Sequence, residues 1–600
     1  MAVAETVSSR QHPHALLGLD VGGINTRATL FGISSGNYQV LGSEGALTSR
    51  GKGLHIGDGV GNAIQTLQAR SEHFFLEESG ALLMPVDRIG RGIDRVAMVI
   101  SAGDRIRAGL IGLTEAGSLK AGKALFDSLP MQLASPLMLA DLENETRCIE
   151  ALVKHHPEIL VILGGENNTA AASSKRWIEI TRTACSLLPQ TVQPVIVYAG
   201  DPDLEATARR RLEPVAMLKM APNLQPLYGE YDLVPAQSLL EQEILRIWQA
   251  ELYGLTGLCN LSRDLNGITG RCLDRMVRFL SLLDRFQQTR GLDSVKTTDT
   301  GVLAVDLGGT YTTVSAGLGG LGGSVVLDKF PSLGGTRHVD ACQAIHAWVG
   351  EPITREEVDQ FLCNHALMPS WVPETQKELA LSQAFARYRL QEALARLAEN
   401  YAWFDYHPAK GLDGNCESII ASGAVVTHAP NPQALMLALL DGVQPRGITT
   451  IIIDRHHLLP LLGKIGEAEP LLPVHLLTSR AFENLGTVVS AISDLRQGKT
   501  ALTVHVETAS GEVYTADIHQ GTLRRLVIPL GESAMLDFVP HRKVDIGFGG
   551  RGRGGRLKVT GGVLSVVIDA RGRPMQLAQN AAGRIEQQRE WLQTLGADNA

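Results

Sequence analysis

Two stretches of this 600-residue chain repeat almost the same phrase. LLGLDVGGINTRATL occupies residues 16–30, and VLAVDLGGTYTTVSA occupies residues 302–316. Each runs an apolar strand into Asp-x-Gly-Gly and then into a second strand. A strand-turn-strand unit at the head of each half restricts the fold to one that brings two related halves together. We therefore expect the two turns to face each other across one shared ligand.

The residue types in these turns suit a nucleotide phosphate and a magnesium ion. Paired glycines let backbone N–H groups approach a phosphate closely, and threonine hydroxyls add donors. An aspartate at a strand end is placed to hold Mg²⁺, usually through water. A single turn of this kind is equally a β-turn whose Asp caps local amides, but two copies favour nucleotide binding. We predict metal and catalytic roles for Asp20 and Asp306, and phosphate contacts from Gly22, Gly23, Thr26, Gly308, Gly309, Thr310 and Thr312.

The rest of the pattern predicts an α/β chain. Short apolar runs such as RVAMVISAG (95–103) and QPVIVYAGD (193–201) alternate with helical stretches, which indicates buried parallel strands. Amphipathic spacing predicts helices over 236–291 and 377–402. FENLGTVVSAISDL (482–495) is predicted as a closing helix.

The length of the chain and its polar, turn-rich segments predict several domains, because 600 residues are too many for a single hydrophobic core. The polar segment 291–301 separates the halves, and after about residue 500 the pattern alternates as in antiparallel strands. We predict a disordered tail over 1–14, a first lobe over 15–298, a second lobe over 299–498, and a β-rich domain with a helical tail over 499–600.

Composition excludes several classes of function. A net charge of −8 gives no bulk attraction to nucleic acid or to an anionic membrane. No apolar run approaches the ~20 residues of a membrane span, and the N-terminus lacks a signal-peptide core. Seven scattered cysteines suggest reduced thiols, so we expect a cytoplasmic protein. The basic stretch GFGGRGRGGR (547–556) has few aromatic residues, which favours a flexible loop over a nucleic-acid contact.

A third glycine pair and two pairs of histidines are further candidates. GGENN follows a predicted strand, so Gly164, Gly165 and Asn167 are predicted to contact the nucleotide and Glu166 to orient a catalytic water. The alternative for this polar group is a helix cap. Adjacent side chains on a strand point opposite ways, so we expect His456 and His457 to pack in a loop and not to share a metal. His155 and His156 are expected at a helix C-terminus.

The doubled phrase resembles the phosphate-binding loops of the actin, sugar-kinase and heat-shock-chaperone ATPase superfamily. The order of ISAGDRIRAGLIGLTEAGSLKAGKAL, PEILVILGGENNTAA, DRHHLLPLLG and FENLGTVV further resembles the MutL family, accessory ATPases found with coenzyme-B12-dependent glutamate mutase. The resemblance implies a two-lobed actin-like fold of duplicated ribonuclease-H-like domains with a small C-terminal β domain. It also implies ATP and Mg²⁺ as cofactors, an adenosine loop at Ser422 and Gly423, and a protein partner that is a B12-dependent mutase to be protected or reactivated. No motif for binding cobalamin itself is present in the sequence.

The sequence departs from the family pattern at positions that bear on turnover. Ile24 stands where a Ser or Thr is usual, and Thr313 stands where an acidic residue is common. The resemblance implies an ATPase, and these changes predict that it hydrolyses ATP slowly. The alternatives are a nucleotide-binding scaffold without turnover, or a sugar or carboxylate kinase; the latter lacks a recognisable base.

Overall fold

The computed structural model describes residues 14–164, 170–225, 231–283, 301–328, 335–368, 370–413, 416–477, 479–573 and 575–597. Its strands, numbered in chain order, are β1 (Ala15–Val21), β2 (Asn25–Ser34), β3 (Asn37–Leu47), β4 (Arg95–Ile100), β5 (Ile106–Ile111), β6 (Met131–Leu137), β7 (Ile159–Leu163), β8 (Val195–Ala199), β9 (Leu218–Met220), β10 (Asn266–Ile268), β11 (Gly301–Leu307), β12 (Tyr311–Leu318), β13 (Leu321–Asp328), β14 (Tyr406–His407), β15 (Gly411–Leu412), β16 (Cys416–Ser422), β17 (Gly447–Ile453), β18 (Glu483–Ser490), β19 (Ile492–Ser493), β20 (Thr500–Thr508), β21 (Val513–His519), β22 (Leu523–Leu526), β23 (Ser533–Pro540), β24 (Val544–Asp545), β25 (Gly555–Thr560) and β26 (Val566–Asp569).

The α-helices are α1 (Ile56–Arg70), α2 (Lys120–Asp127), α3 (Glu145–His155), α4 (Ala171–Leu187), α5 (Glu205–Leu212), α6 (Val234–Glu251), α7 (Leu255–Ser262), α8 (Thr269–Leu282), α9 (Gly335–Trp348), α10 (Arg355–Leu367), α11 (Gln376–Asn400), α12 (Ala424–Thr427), α13 (Pro432–Val443), α14 (Leu458–Ile465), α15 (Leu471–Leu477) and α16 (Ala581–Thr594). None of the helices in the described part of the chain combines the length and apolarity needed to cross a membrane.

The doubled phrase folds twice as the same antiparallel strand pair. β1 pairs with β2 up to Val21 and Thr26, and β11 pairs with β12 up to Leu307 and Thr312. A third antiparallel strand follows in each copy, and a parallel strand flanks the first one. The first sheet has the order β10-β4-β1-β2-β3, and the second has β13-β12-β11-β16-β17-β18-β26-β22. Every residue of β1 and of β11 is buried, because both faces of each sheet are covered.

A layer of helices lies between the two sheets. Leu16 of β1 and Val302 of β11 belong to one buried cluster with side chains of α8, α14 and α15. α8 and α14 cross closely, since a Cβ on Gly463 would overlap the backbone carbonyl of Cys272. This shared layer positions the two Asp-Gly-Gly turns relative to each other.

A third sheet confirms the expected parallel strands. Its order is β6-β5-β7-β8-β9, and every pairing in it is parallel. The chain is therefore a mixed α/β protein with several sheets. The predicted helical regions at 236–291 and 377–402 contain α6, α7, α8 and α11.

The prediction of a closing helix over 482–495 is wrong. Residues 483–490 form β18, which lies between β17 and β26 and is buried over its last six residues. Leu485, Val488 and Val489 have helix-like spacing, but the strand contains three β-branched residues in a row, from Thr487 to Val489. These residues and pairing on both edges favour a central strand.

Residues after 499 contribute to three sheets, and one of these is the short pair of β19 and β24. β20, β21, β23 and β25 form a four-stranded antiparallel sheet with alternating burial, as the sequence pattern predicts. β22 and β26, in contrast, extend the second sheet beside β18. The domain boundaries at 298 and 498 stay predictions, and the tail over 1–13 lies outside the described residues.

Candidate functional site

Both copies of the Asp-Gly-Gly turn close with the same hydrogen bond. The N–H of Gly22 donates to the carbonyl of Asn25 at 3.0 Å, and the N–H of Gly308 donates to the carbonyl of Tyr311 at 3.0 Å. A Cβ on Gly22 would lie 2.6 Å from the Asn25 oxygen, and one on Gly308 would lie 2.8 Å from the Tyr311 oxygen. The first glycine of each turn therefore has no room for a side chain.

The two turns contact each other at their tips. A Cβ on Gly23 would overlap the hydroxyl oxygen of Thr310, and one on Gly309 would lie 2.6 Å from Ile24 Cδ1. Each turn thus packs the side chain that follows its glycines against the second glycine of the other turn. The doubled phrase forms one reciprocal contact between the two sheets.

A cavity of about 350 Å³ lies at this contact. The predicted site residues that line it are Asp20, Gly22, Gly23, Thr26, Asp306, Gly308, Gly309, Thr310 and Gly423. Thr312, Ser422 and Gly164 do not line it. Gly165, Glu166 and Asn167 lie outside the described residues.

Strand alternation explains where Thr312 lies. Its neighbours Tyr311 and Thr313 line the cavity, whereas Thr312 borders a smaller cavity beside Phe361. Thr26 is fully buried, and its hydroxyl hydrogen-bonds that of Thr48 at 2.7 Å. The hydrogen bond of Thr26 therefore stabilises the first hairpin.

The adenosine-loop candidates differ in position. Gly423 has a φ of 97°, and a Cβ there would lie 2.5 Å from Asp306 Oδ1. This glycine therefore lets the chain turn tightly against the Asp306 carboxylate after β16. Ser422, the last residue of β16, is buried. Gly164 follows β7 in the third sheet, where its N–H donates to the carbonyl of Ala199.

The sequence reasoning missed His457, which enters the centre of the site. Its Nδ1 donates to Asp20 Oδ2 at 2.5 Å, and its Nε2 lies 3.1 Å from Asp306 Oδ2. One imidazole thus contacts the aspartates of both turns. We expected His456 and His457 to pack in a loop, because two adjacent rings do not share a metal. That argument did not consider that the ring of His457 alone could contact the two aspartates.

The turn before α14 holds His457 in place. The buried Asp454 carboxylate accepts hydrogen bonds from the N–H groups of Leu458 and Leu459, at 2.9 and 2.8 Å. His457 itself has a φ of 55°, a left-handed conformation that is uncommon outside glycine and concentrates at functional sites. An Asp three residues before a histidine at a helix start was the available sequence signal.

Electrostatics favour a charged imidazole. Burial alone would lower the pKa of His457, but the carboxylates of Asp306 and Asp20 raise that pKa well above its ordinary value. Burial raises the pKa of Asp454. A positive ring between two carboxylates stabilises the contact between the two sheets.

The carboxylates also retain oxygen atoms that fit a magnesium ion. Asp20 Oδ1 and Asp306 Oδ1 are buried and make no hydrogen bond to any described residue. Both aspartates line the cavity, and Mg²⁺ prefers such oxygen ligands. The donor set therefore fits Mg²⁺.

Basic and apolar groups surround the carboxylates. Arg27 and Arg455 line the same cavity, and Glu483 holds Arg455 in an ion pair. A second cavity of about 150 Å³ also borders Gly309, and much of its lining is apolar, including Trp371, Val372, Pro373, Val425, Leu379 and Leu435. The arrangement can accept an anion next to a flat apolar group.

Comparison with known proteins identifies one family. The model of the family described as MutL protein matches residues 16–481. No curated protein matches the chain.

Among solved structures, a glycerol dehydratase reactivase is similar over 76% of this chain and 100% of its own, with 9% identity and a TM-score of 0.27. The Aquifex aeolicus member of the Ppx/GppA protein family is similar over 70% of this chain and 73% of its own, with 12% identity and a TM-score of 0.17. Since the family model covers most of the chain, including both Asp-Gly-Gly turns, this protein belongs to the MutL family.

Proposed function

We propose that this protein is a Mg²⁺-dependent, ATP-binding accessory protein that hydrolyses ATP slowly and acts on a partner enzyme. Its two halves would form a two-lobed actin-like ATPase fold, built from duplicated ribonuclease-H-like domains. The partner would be an adenosylcobalamin-dependent mutase that the protein protects or reactivates. Membership of the MutL family supports the choice of partner.

The observation that carries the proposal is the reciprocal contact of the two glycine turns at one cavity. Glycine turns expose backbone N–H groups that can surround a phosphate. Gly23 and Gly309 approach the cavity from opposite sheets, so both turns can contact the same polyphosphate chain. Strand order supports the duplication, because each sheet contains the same meander with a parallel strand beside its first strand.

The remaining lining residues have matching roles. Arg27 and Arg455 supply positive charge for phosphate oxygens, and the adjoining apolar cavity suits an adenine ring. Asp20 and Asp306 would hold Mg²⁺ through their unpaired oxygens. When bound, the ion neutralises charge on the terminal phosphates. Glu166 as the residue that orients water, with Gly164, Gly165 and Asn167 beside it, stays a prediction.

Closure of the two sheets would follow the nucleotide. The turns touch directly, and the imidazole of His457 bridges their aspartates. A nucleotide between the turns must separate Gly23 from Thr310 and reorganise the His457 contacts. Binding and loss of the terminal phosphate would therefore change the relative position of the sheets, which a partner enzyme can sense.

Calorimetry with ATP and Mg²⁺ tests binding. Wild type is compared with Asp20→Asn and Asp306→Asn, and with Asp537→Asn as a control at an exposed position on β23. We expect both site variants to weaken binding by at least about tenfold, and the control to bind as wild type does. Absence of ATP binding by wild type would refute the proposal.

Phosphate release on the same samples separates three activities. Slow release without an added acceptor supports an ATPase. Binding without release supports a nucleotide-dependent scaffold, which Ile24 and Thr313 at the turns favour as the second candidate. Transfer that requires a sugar or carboxylate acceptor would identify a kinase instead.

The partner requires a separate experiment. Glutamate mutase inactivated by turnover is mixed with the protein, with and without MgATP, and its activity is followed after adding adenosylcobalamin. Recovery that depends on MgATP and is lost in Asp306→Asn supports a reactivase. Equal recovery with and without the protein would argue against this partner.

A further inference from the structure

A second cluster of metal-binding side chains lies outside the nucleotide site, on the helix pair α9 and α10. His338 and Cys342 are four residues apart on α9, and Asp359 and Cys363 are four residues apart on α10. Residues at this spacing share one helix face. Each helix thus presents one sulfur and one nitrogen or oxygen ligand within a single turn.

The side chains converge between the helices. His338 Nε2 lies 2.5 Å from Asp359 Oδ1. One ligand atom each from His338, Asp359 and Cys363 lies within 4.8 Å of the others. The sulfur of Cys342 lies 3.7 Å from the same His338 nitrogen, so a second thiol borders the group.

The surrounding structure fixes this geometry. Ala341 and Ile345 of α9 pack against Val358 and Leu362 of α10 in one buried cluster. Thr354 caps α10: its hydroxyl accepts from the N–H of Glu357, whose carboxylate accepts from the N–H of Thr354. The helix pair is therefore held from its core and from its first turn.

The cluster combines burial with access. The His338 side chain is 11% exposed, whereas that of Asp359 is 53% exposed. A carboxylate at a site that is open on one side can take up a cation from solvent.

We propose that His338, Asp359 and Cys363 bind one divalent transition-metal ion of the zinc type. Imidazole, carboxylate and thiolate are the ligands that Zn²⁺ takes in proteins, and sulfur excludes Mg²⁺ and Ca²⁺ as preferred occupants. The neutral imidazole with two anionic ligands balances the charge of the ion. This site is separate from the proposed ATP site, where the candidate metal ligands are the carboxylate oxygens of Asp20 and Asp306.

Cobalt titration of the full chain tests the proposal, because Co²⁺ bound to thiolate absorbs in the near ultraviolet. After dialysis against a chelator, the wild type should develop a thiolate band that saturates at one equivalent of Co²⁺ and that Zn²⁺ removes. His338→Ala and Asp359→Asn should each weaken binding by at least about a hundredfold, since even groups that only support a ligand are worth 10–100-fold. Cys363→Ser should abolish the band.

Two controls distinguish this site from others. Cys185→Ser removes a buried thiol of α4 and should leave the titration unchanged. Asp20→Asn combined with Asp306→Asn should leave the thiolate band unchanged, because those carboxylates belong to the separate oxygen site. Absence of a thiolate band in wild type, or a band that persists in Cys363→Ser, would overturn the proposal. Loss of the thiolate band in the Asp20 and Asp306 double variant would overturn it as well. Thermal unfolding of each variant verifies that it is folded; Asp359→Asn, at a half-exposed position, is the variant least disruptive to packing.

Discussion

The imidazole of His457 lies 2.5 Å from the carboxylate of Asp20, although 437 positions separate the two residues in the chain. The same ring lies 3.1 Å from Asp306. A buried cation therefore balances two carboxylates that come from two different sheets. In the proposed function, the same carboxylates hold Mg²⁺, so His457 and the metal neutralise the same charges.

Replacement of His457 by Ala should make folding stability depend more strongly on Mg²⁺. Removing the ring leaves two carboxylates without their counter-charge, at a cost of about 3 kcal/mol in metal-free buffer. Mg²⁺ restores the balance, so thermal unfolding should show a larger rise in Tm on adding Mg²⁺ for the variant than for wild type. His428→Ala is the matched control, because His428 lines the same cavity and is exposed. An equal rise in Tm on adding Mg²⁺ to wild type and to His457→Ala would contradict the idea that His457 and Mg²⁺ neutralise the same carboxylates.

Replacement of Gly23 by Ala should separate the two turns. The added methyl overlaps the Thr310 hydroxyl, so the tips must move apart or Thr310 must change rotamer. We expect ATP affinity to fall by about tenfold, with little change in Tm because the contact is local. Calorimetry measures the affinity.

A double-mutant cycle with Thr310→Ala isolates this contact. Thr310→Ala in the Gly23→Ala background removes the overlapping oxygen and should recover part of the lost affinity, a coupling of about 1 kcal/mol. Gly257→Ala on α7 serves as control, since a Cβ there meets nothing within 4 Å. Strictly additive losses would mean that the two turns do not act on one ligand.

Much of the fold follows from local pattern. The two hairpins, the parallel strands and α11 are recognisable because apolar periodicity and glycine punctuation agree at each of them. The sequence predicts a helix where β18 lies, because Leu485, Val488 and Val489 have the spacing of a helix face. Its strand conformation depends on β17 and β26, and β26 lies about 80 residues further along the chain, a pairing that local pattern does not encode.

The candidate site was only partly accessible from sequence. Asp20 and Asp306 stand out because the duplication marks them. His457 does not, since its position depends on a left-handed residue after β17 and on the Asp454 carboxylate that caps α14. Thr312 and Thr313 look equivalent in sequence, but only the pairing register of β12 decides which one faces the cavity.

Gly463→Ala should destabilise the helix layer between the two sheets. The methyl would overlap the carbonyl oxygen of Cys272, a backbone atom on α8 that cannot rotate away. Overpacking of this kind costs about 1–3 kcal/mol. Urea unfolding compares the variant with Gly61→Ala on α1, where a Cβ meets nothing within 4 Å. A Gly463→Ala variant as stable as wild type would show that the crossing of α8 and α14 adapts without cost.

The buried pair Asp569 and Arg571 should make the stability of the second sheet fall in acid. Burial alone would raise the pKa of Asp569, but the guanidinium groups of Arg571 and Arg573 lower it below its ordinary value. Arg571 also donates to Asp441 on α13 at 2.8 Å, so its guanidinium joins the segment after β26 to α13. A group with a lowered folded-state pKa stabilises the fold above its unfolded pKa, about 3.9 for Asp, and this contribution is lost as the pH falls below that value.

The variant Asp569→Asn tests whether the ionised carboxylate of Asp569 stabilises the fold. The variant keeps the shape but removes the charge, leaving Arg571 and Arg573 without one buried partner, so we expect a loss of about 3–5 kcal/mol at pH 7. The difference in free energy of unfolding between wild type and variant should begin to shrink as the pH falls from about 5 to about 3, because Asp569 then takes up a proton in the unfolded chain while it stays ionised in the folded one. Asp537→Asn, at an exposed position, controls for general acid effects. A difference that stays constant over this range would mean that the charge of Asp569 does not contribute to holding the end of β26 to α13. The packing of Arg571 on Trp591, at 4.5 Å from the ring centre, would then hold the segment instead.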